Sequence, residues 1–205
     1  MIWSSAQGRW FEQVNRFARA TPVLHAPARA YAEFGVVLFA VILLLSWWLA
    51  RREPNPEAVA AALWTPAGML LAVGLNQPLV RHFHEPRPYT VFPHALVLVT
   101  RSQDYSFPSD HAVMAGAVAA GVLLAHRRLG VVAAVAALLM ACTRVYVGAH
   151  FPLDVVVGLA FGTAVCVVGY LALRPVLVPV VARLTRTPLR PLVTTVKASA
   201  LGSGA

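Results

Sequence analysis

Five stretches of this chain are apolar enough, and close to long enough, to cross a lipid bilayer, and that limits what it can fold into. They run from Phe34 to Ala50, Ala58 to Leu75, Ser109 to Ala125, Leu129 to Val147 and Leu153 to Leu173. Hydrocarbon offers no partner to a backbone N–H or C=O, so such spans must be helices. The expected fold is all-α: a polytopic transmembrane helical bundle of about five spans. Composition agrees, with 59% hydrophobic and only 12% charged residues, where soluble domains sit near a quarter charged. The 205 residues suit one domain, 1–205. Trp47 and Trp48 close the first span at an interface. Pro66 introduces a kink into the second. The third and fourth are rich in Ala and Gly, which lets helices approach closely in lipid, within one chain or between chains.

The first 30 residues read differently. Trp10, Phe11, Val14 and Phe17 recur at helical spacing, with Arg9, Glu12, Arg16 and Arg19 between them. That pattern predicts an amphipathic helix lying in the membrane interface, segment 1–30. It lacks the apolar core of a cleaved leader. From 175 to 205 the Pro- and Gly-containing sequence predicts a loosely ordered cytoplasmic tail, with Leu201 to Ala205 flexible.

The net charge is +9. The arginines lie between apolar segments, without the basic and aromatic interleaving that tracks a nucleic acid, so nucleic acid is excluded as a partner and membrane topology accounts for the charge. Arg51, Arg52, Arg127, Arg128, Arg174, Arg183, Arg186, Arg190 and Lys197 all fall on one side of a five-span topology. The positive-inside rule puts that side in the cytoplasm. The N-terminus and the long second loop then face outward. Cys142 and Cys166 lie within apolar segments and read as small hydrophobes.

Polar residues at membrane depth are costly and point to function. Here they gather at one end of the spans. Arg81, His82, His84, Glu85 and Arg87 close the second span; Ser109, Asp110 and His111 open the third; Arg144 ends the fourth; His150 and Asp154 open the fifth. Arginine forks suit phosphate. Ser109 suits a helix N-cap and Pro152 a first helical turn, so two helix N-termini face the arginine cluster. Asp154 follows His150 by one helical turn, within reach of one imidazole nitrogen. The pattern points to phosphoryl transfer with covalent catalysis. In it His150 attacks phosphorus and Asp154 fixes its tautomer. His111 protonates the leaving oxygen and then activates water. Arg87, Arg144 and Ser109 hold the phosphoryl oxygens.

The run Arg87-Pro88, then Pro108-Ser109-Asp110-His111, then Thr143-Arg144 with His150 and Asp154 resembles the three-part signature of the type 2 phosphatidic acid phosphatase superfamily. The resemblance spans about Asn76 to Asp154. It implies a helical membrane phosphatase that works without metal or other cofactor on a lipid phosphate, through a phosphohistidine. The family's first basic residue falls on Val80 here; Arg81, one position later, is the candidate to replace it in phosphate binding. Asp110 stands where the family has Gly, and Thr143 where it has Ser. Asp110 reads either as a first-turn acid favouring the helix dipole or as a residue positioning a pyrophosphate-binding group. Ser106-Phe107 before the second motif, Asn76-Gln77 before the first and Tyr89 after Arg87-Pro88 are similar to the bacitracin-resistance type of undecaprenyl-diphosphatase in that superfamily. His82, His84 and His94 read as loop or interface residues, and a zinc site from His82, His84 and Glu85 is disfavoured because phosphate chemistry accounts for the cluster.

The expected activity is hydrolysis of a polyprenyl diphosphate, undecaprenyl or decaprenyl, to the monophosphate at the outer face of a bacterial inner membrane, with membrane lipids as surroundings. Another lipid phosphate (phosphatidic acid, phosphatidylglycerol phosphate or a prenyl-sugar phosphate) is the alternative substrate. A non-catalytic transport or resistance protein is the remaining reading, and the lack of an inverted repeat opposes it.

Overall fold

The computed structural model describes residues 5–195. Each apolar run becomes a helix: α2 His25–Ala50, α3 Pro56–Phe83, α5 Asp110–Ala125, α6 Arg127–Tyr146 and α7 Pro152–Leu184. An N-terminal α1 Ser5–Ala20 and two short helices, α4 Pro88–Val91 and α8 Arg190–Val193, complete the described residues, which contain no strand. Four of the apolar helices are long enough to span a bilayer. The fifth, α5, has 16 residues and rises only about 24 Å, short of a hydrocarbon core of about 30 Å. It is the central helix, enclosed by α3, α6 and α7, and the loop 84–109 covers its N-terminal end. α2 lies to one side, against α6, α3 and α5.

Small residues set the spacing. A Cβ added to Gly162 of α7 would lie 1.9 Å from the carbonyl oxygen of Val113 on α5, and one on Gly116 would lie 2.3 Å from Leu159 O. These two helices touch backbone to backbone, as small-residue contacts in lipid allow. Successive helices reverse direction. The C-termini of α3 and α6 and the N-termini of α5 and α7 therefore meet at one end of the bundle.

The ends of the helices are sharply specified. Asn55 caps α3, its Oδ1 accepting from Glu57 N at 3.0 Å and Ala58 N at 3.3 Å, with Pro56 in the first turn. Pro152 opens α7, and Asp154 Oδ2 accepts from Phe151 N at 2.8 Å. That bond is the second half of a capping box.

Three sequence expectations change. Helix α3 runs on to Phe83, well past Leu75, which puts Arg81 on a helix. Helix α7 continues to Leu184, so 175–184 is not a loose tail. Its extension passes Pro175 and Pro179 and is held by packing: Val181 is buried in one cluster with Ala50 and Val193. Nearby, Arg174 pairs with Glu57 and Tyr170 Oη donates to Glu57 O at 3.1 Å. Helix α8 folds back on α2, where Trp47 Nε1 donates to Leu192 O at 2.8 Å. The expected flexibility of 201–205, and Lys197, lie outside the described residues.

The third change concerns α1. It ends at Ala20 rather than near 30, and α2 begins at His25. Its buried face is Gln7, Phe11, Asn15 and Ala18, while Trp10 and Phe17 point outward. Two polar residues lie on the buried face because each satisfies a backbone group. Gln7 Oε1 accepts from Leu153 N, one of the unpaired first-turn donors of α7, at 2.9 Å. Asn15 pairs both ways with Leu96, donating to its carbonyl at 2.8 Å and accepting from its N–H at 3.0 Å. Helix α1 thus fastens the loop 84–109 to the bundle.

Candidate active site

The four helix ends that meet enclose a polar cavity of about 190 Å³. Arg87, His111, Arg144 and His150 line it, with Val80, Tyr89, Asp104, Tyr105 and Asp110. Each arrives from a different element: Val80 from the end of α3, Arg87 from the entry to α4, Asp110 and His111 from the first turn of α5, Arg144 from the last turn of α6, and His150 from the turn before α7.

That last turn is tight. Gly148 adopts φ +79°, and a Cβ there would lie 2.4 Å from Leu96 O. Only glycine accepts both the conformation and the approach. Leu98 N donates to Val147 O at 3.0 Å, so the loop 84–109 and the turn that carries His150 are joined.

His150 is buried, 2% exposed. Its Nδ1 lies 2.9 Å from the carbonyl oxygen of Ser106. A carbonyl only accepts, so Nδ1 carries the proton and Nε2 holds the free lone pair. Arg87 Nη1 donates to Nε2 at 3.2 Å and to Ala149 O at 3.1 Å. Burial, then the positive charges of Arg144 and Arg87, hold the His150 pKa well below its ordinary 6.5. The imidazole is therefore neutral at physiological pH, as a nitrogen nucleophile must be.

Sequence spacing assigned the hold on Nδ1 to Asp154. The structure corrects this. Asp154 Oδ2 is 3.5 Å from Nδ1, and its short contacts are with the Ser106 hydroxyl and Phe151 N. Ser106 stands between them, its carbonyl taking the imidazole proton and its hydroxyl donating to the carboxylate. The sequence offered one sign of this residue, its place two before Pro108 in the Ser-Phe-Pro-Ser run.

Arg87 is held at its other edge. Nε and Nη2 donate to Asp104 Oδ1 at 3.0 and 2.8 Å. Burial pushes the Asp104 pKa up, but the Ser102 hydrogen bond and the Arg87 charge outweigh it and leave it below 3.8. Asp104 carried no signal in the sequence. Arg144 reaches Ala32 O with Nη1 at 3.5 Å, and its Nε is buried with no partner among the described residues.

Ser109 is fully buried at the N-cap of α5 but caps nothing with its side chain. Its N–H donates to Asp154 O at 3.1 Å, and its Oγ has no partner among the described residues. It does not line the cavity. Asp110 is fixed by two amides: Asn76 Nδ2 at 2.7 Å and Gln77 Nε2 at 3.0 Å both donate to Oδ1. Arg81 does not join the site. It is exposed and absent from the cavity lining, where Val80 stands instead. His82, His84 and His94 are also exposed.

The arrangement joins an unprotonated nitrogen, two guanidinium groups and a second imidazole around one small polar space. These are the parts of a phosphoryl-transfer site with a nitrogen nucleophile.

Comparison with known proteins gives the family. Residues 61–176 match the PAP2 superfamily. The chain is 27% identical over 165 residues to Undecaprenyl-diphosphatase BcrC of Bacillus subtilis (strain 168), covering 80% of this chain and 81% of that protein. Among solved structures it resembles Aquifex aeolicus LpxE, with TM-score 0.61 and 26% identity over 78% of this chain and 92% of that one. It also resembles the fold of the PAP2-type phosphatidylglycerolphosphate phosphatase from Bacillus subtilis, with TM-score 0.65 and 22% identity over 85% and 90% of the two chains.

Proposed function

Because this chain belongs to the PAP2 superfamily and is an integral membrane lipid phosphatase, we propose that it hydrolyses a polyprenyl diphosphate to the monophosphate through a phosphohistidine at His150. The observation that carries this reading is the unprotonated His150 Nε2 at the cavity, its tautomer fixed by the Nδ1 bond to Ser106 O and its lone pair accepting from Arg87 Nη1 until a phosphate displaces that bond.

In the first step Nε2 attacks the terminal phosphorus. The bond from phosphorus to the bridging oxygen breaks, and that oxygen leaves with a proton from His111. In the second step His111 takes a proton from water, the hydroxide oxygen attacks phosphorus, and the P–N bond breaks to return the electron pair to Nε2. Arg87 and Arg144 hold the equatorial oxygens as charge redistributes. Ser109, buried outside the cavity lining, supports the α5 N-terminus through its N–H bond to Asp154 O rather than touching the phosphate. Asp154 acts through Ser106 to steady the imidazolium that forms. No step calls for a metal.

The cavity of about 190 Å³ admits a phosphate head, not an isoprenoid tail. The tail therefore stays among the helices, in lipid. The basic residues of the opposite end, Arg51, Arg52, Arg127, Arg128, Arg183, Arg186 and Arg190, favour a cytoplasmic position for that end and an extracytoplasmic site in a bacterial inner membrane.

One observation favours the second reading, a monoester of another lipid. Val80 and Asp110 line the cavity and bring no positive charge for a second phosphate. Phosphate release by purified protein in detergent with EDTA distinguishes the two. Undecaprenyl diphosphate, a prenyl monophosphate and phosphatidic acid are compared, with His150→Ala as control. Preference for the diphosphate supports the first reading. Preference for a monoester replaces it with the second, and EDTA-sensitive or absent turnover overturns the mechanism.

A further inference from the structure

Arg87 sits on a closed ring of contacts that the catalytic steps do not use. Asp104 takes two donors from one edge of the guanidinium through Oδ1, and its backbone oxygen accepts from Nε at 3.2 Å. Ser102 Oγ donates to the same Oδ1. Ser102 in turn exchanges bonds with Tyr89, whose Oη donates to Ser102 O at 2.7 Å and accepts from Ser102 N at 2.9 Å. Tyr89 lies two residues after Arg87 on α4. The loop at 102–104 is thus tied to the start of α4 at Arg87 and again at Tyr89.

The division of the guanidinium is informative. Its Nε–Nη2 edge faces Asp104, while Nη1 faces His150 Nε2, where the transferring phosphorus must come. The Arg87 side chain is 9% exposed and the Asp104 side chain 58% exposed. A carboxylate on the loop reaches inward to a buried cation. We propose that Asp104 is a positioning residue for phosphoryl transfer, clamping the outer edge of Arg87 so that Nη1 is aimed at the phosphoryl oxygens. This rests on the reading of Arg87 as a phosphate-binding group. An arginine held on one edge is preorganised on the other, and errors of about 1 Å in such groups can cost on the order of a hundredfold in rate.

The experiment is a double-variant comparison of turnover, with guanidinium chloride as a probe. Asp104→Asn keeps the shape and removes the charge on a largely exposed side chain. It should lower kcat by roughly tenfold to a hundredfold with a smaller change in KM, and Asp104→Glu should recover much of the loss. Added to Arg87→Ala, Asp104→Asn should cost nothing more. Millimolar guanidinium chloride should restore turnover to Arg87→Ala but not to the double variant, because the carboxylate that seats the ion is gone. Unchanged kcat in Asp104→Asn, or a loss that adds to that of Arg87→Ala, overturns the proposal and leaves the role of Arg87 standing. Full turnover in Arg87→Ala itself overturns both.

Discussion

The imidazole of His150 donates its Nδ1–H to the main-chain carbonyl of Ser106 at 2.9 Å, while the Asp154 carboxylate stands 3.5 Å away. A backbone carbonyl cannot be titrated or removed by substitution. The tautomer that frees Nε2 is therefore set by the path of the chain, and Asp154 supports it from behind.

This ranks the variants. His150→Ala should lose at least about a thousandfold in kcat, as removal of a nucleophile does. Asp154→Asn should cost less, about a hundredfold, because Ser106 still holds the proton in place; where a carboxylate alone fixes the tautomer the loss is nearer ten-thousandfold. Ser106→Ala keeps the carbonyl and should cost on the order of tenfold. Steady-state kinetics on one lipid phosphate checks the order, and equal losses for His150→Ala and Asp154→Asn would contradict it.

The depressed pKa of His150 makes stability depend on pH. Below the ordinary 6.5 the unfolded chain takes up a proton that the folded imidazole refuses. Stability should therefore fall as pH drops below 6.5 toward the folded pKa, by up to about 1.4 kcal/mol per pH unit from this group. Thermal midpoints in detergent between neutral and mildly acid pH measure this. His150→Gln should flatten the slope, and parallel curves for variant and parent would refute the assignment.

Gly148→Ala tests the turn that carries His150. The added methyl meets Leu96 O at 2.4 Å in a left-handed conformation. The strain should destabilise by about 1–3 kcal/mol. Activity should fall further than stability alone accounts for, because either the outer loop or His150 must move. A variant with normal kcat and an unchanged midpoint would mean the turn adapts.

Gly162→Ala tests the seam between α5 and α7, where the new Cβ would meet Val113 O at 1.9 Å. Pushing these helices apart separates His111 from His150. The expected outcome is a lower thermal midpoint, with overpacking costing about 1–3 kcal/mol, together with reduced turnover. Gly74→Ala in α3, where nothing lies within 4 Å of the new Cβ, is the matched control and should be silent.

Arg81→Ala should leave turnover within about twofold of the parent, since exposed side chains away from a site rarely matter. Arg144→Ala, at the cavity, should lose about a hundredfold or more. The same phosphate-release assay reads both. A large loss in Arg81→Ala would restore it as the replacement for the missing basic residue.

The contrast between positions 80 and 81 shows where sequence reading fails. One step along a helix turns a side chain by about 100°, so a basic residue displaced by one position faces away from the cavity. Distance along the chain did not reveal this; the rotation of α3 did. Spans and the convergence of Arg87, His111, Arg144 and His150 were legible because hydrophobic period and residue chemistry are local properties, whereas Ser109, read as a cap, caps nothing with its side chain. Asp104 and Ser106 were not legible as partners of Arg87 and His150. They lie in the loop 84–109, whose course has no periodicity and is fixed by contacts with distant elements such as α1. Gln7 and Asn15 gave no signal in the sequence for a related reason. Hydropathy assigns polar residues outward, and here each is turned inward to pair with a backbone group.

Every side chain assigned to the chemistry or to its immediate support lies between Arg87 and Asp154, on α4, α5, α6, the first turn of α7 and the segments that join them. Helices α1 and α2 stand outside that interval: they supply no side chain to the chemistry and support it by packing, as Phe11 does against Phe151, and through contacts such as Ala32 O with Arg144. The chain is therefore divided into a part that must stay as it is for phosphorus chemistry to occur and a part that can drift. Descent can reshape the flank that meets the lipid tail, and so exchange one membrane substrate for another, without reinventing the reaction.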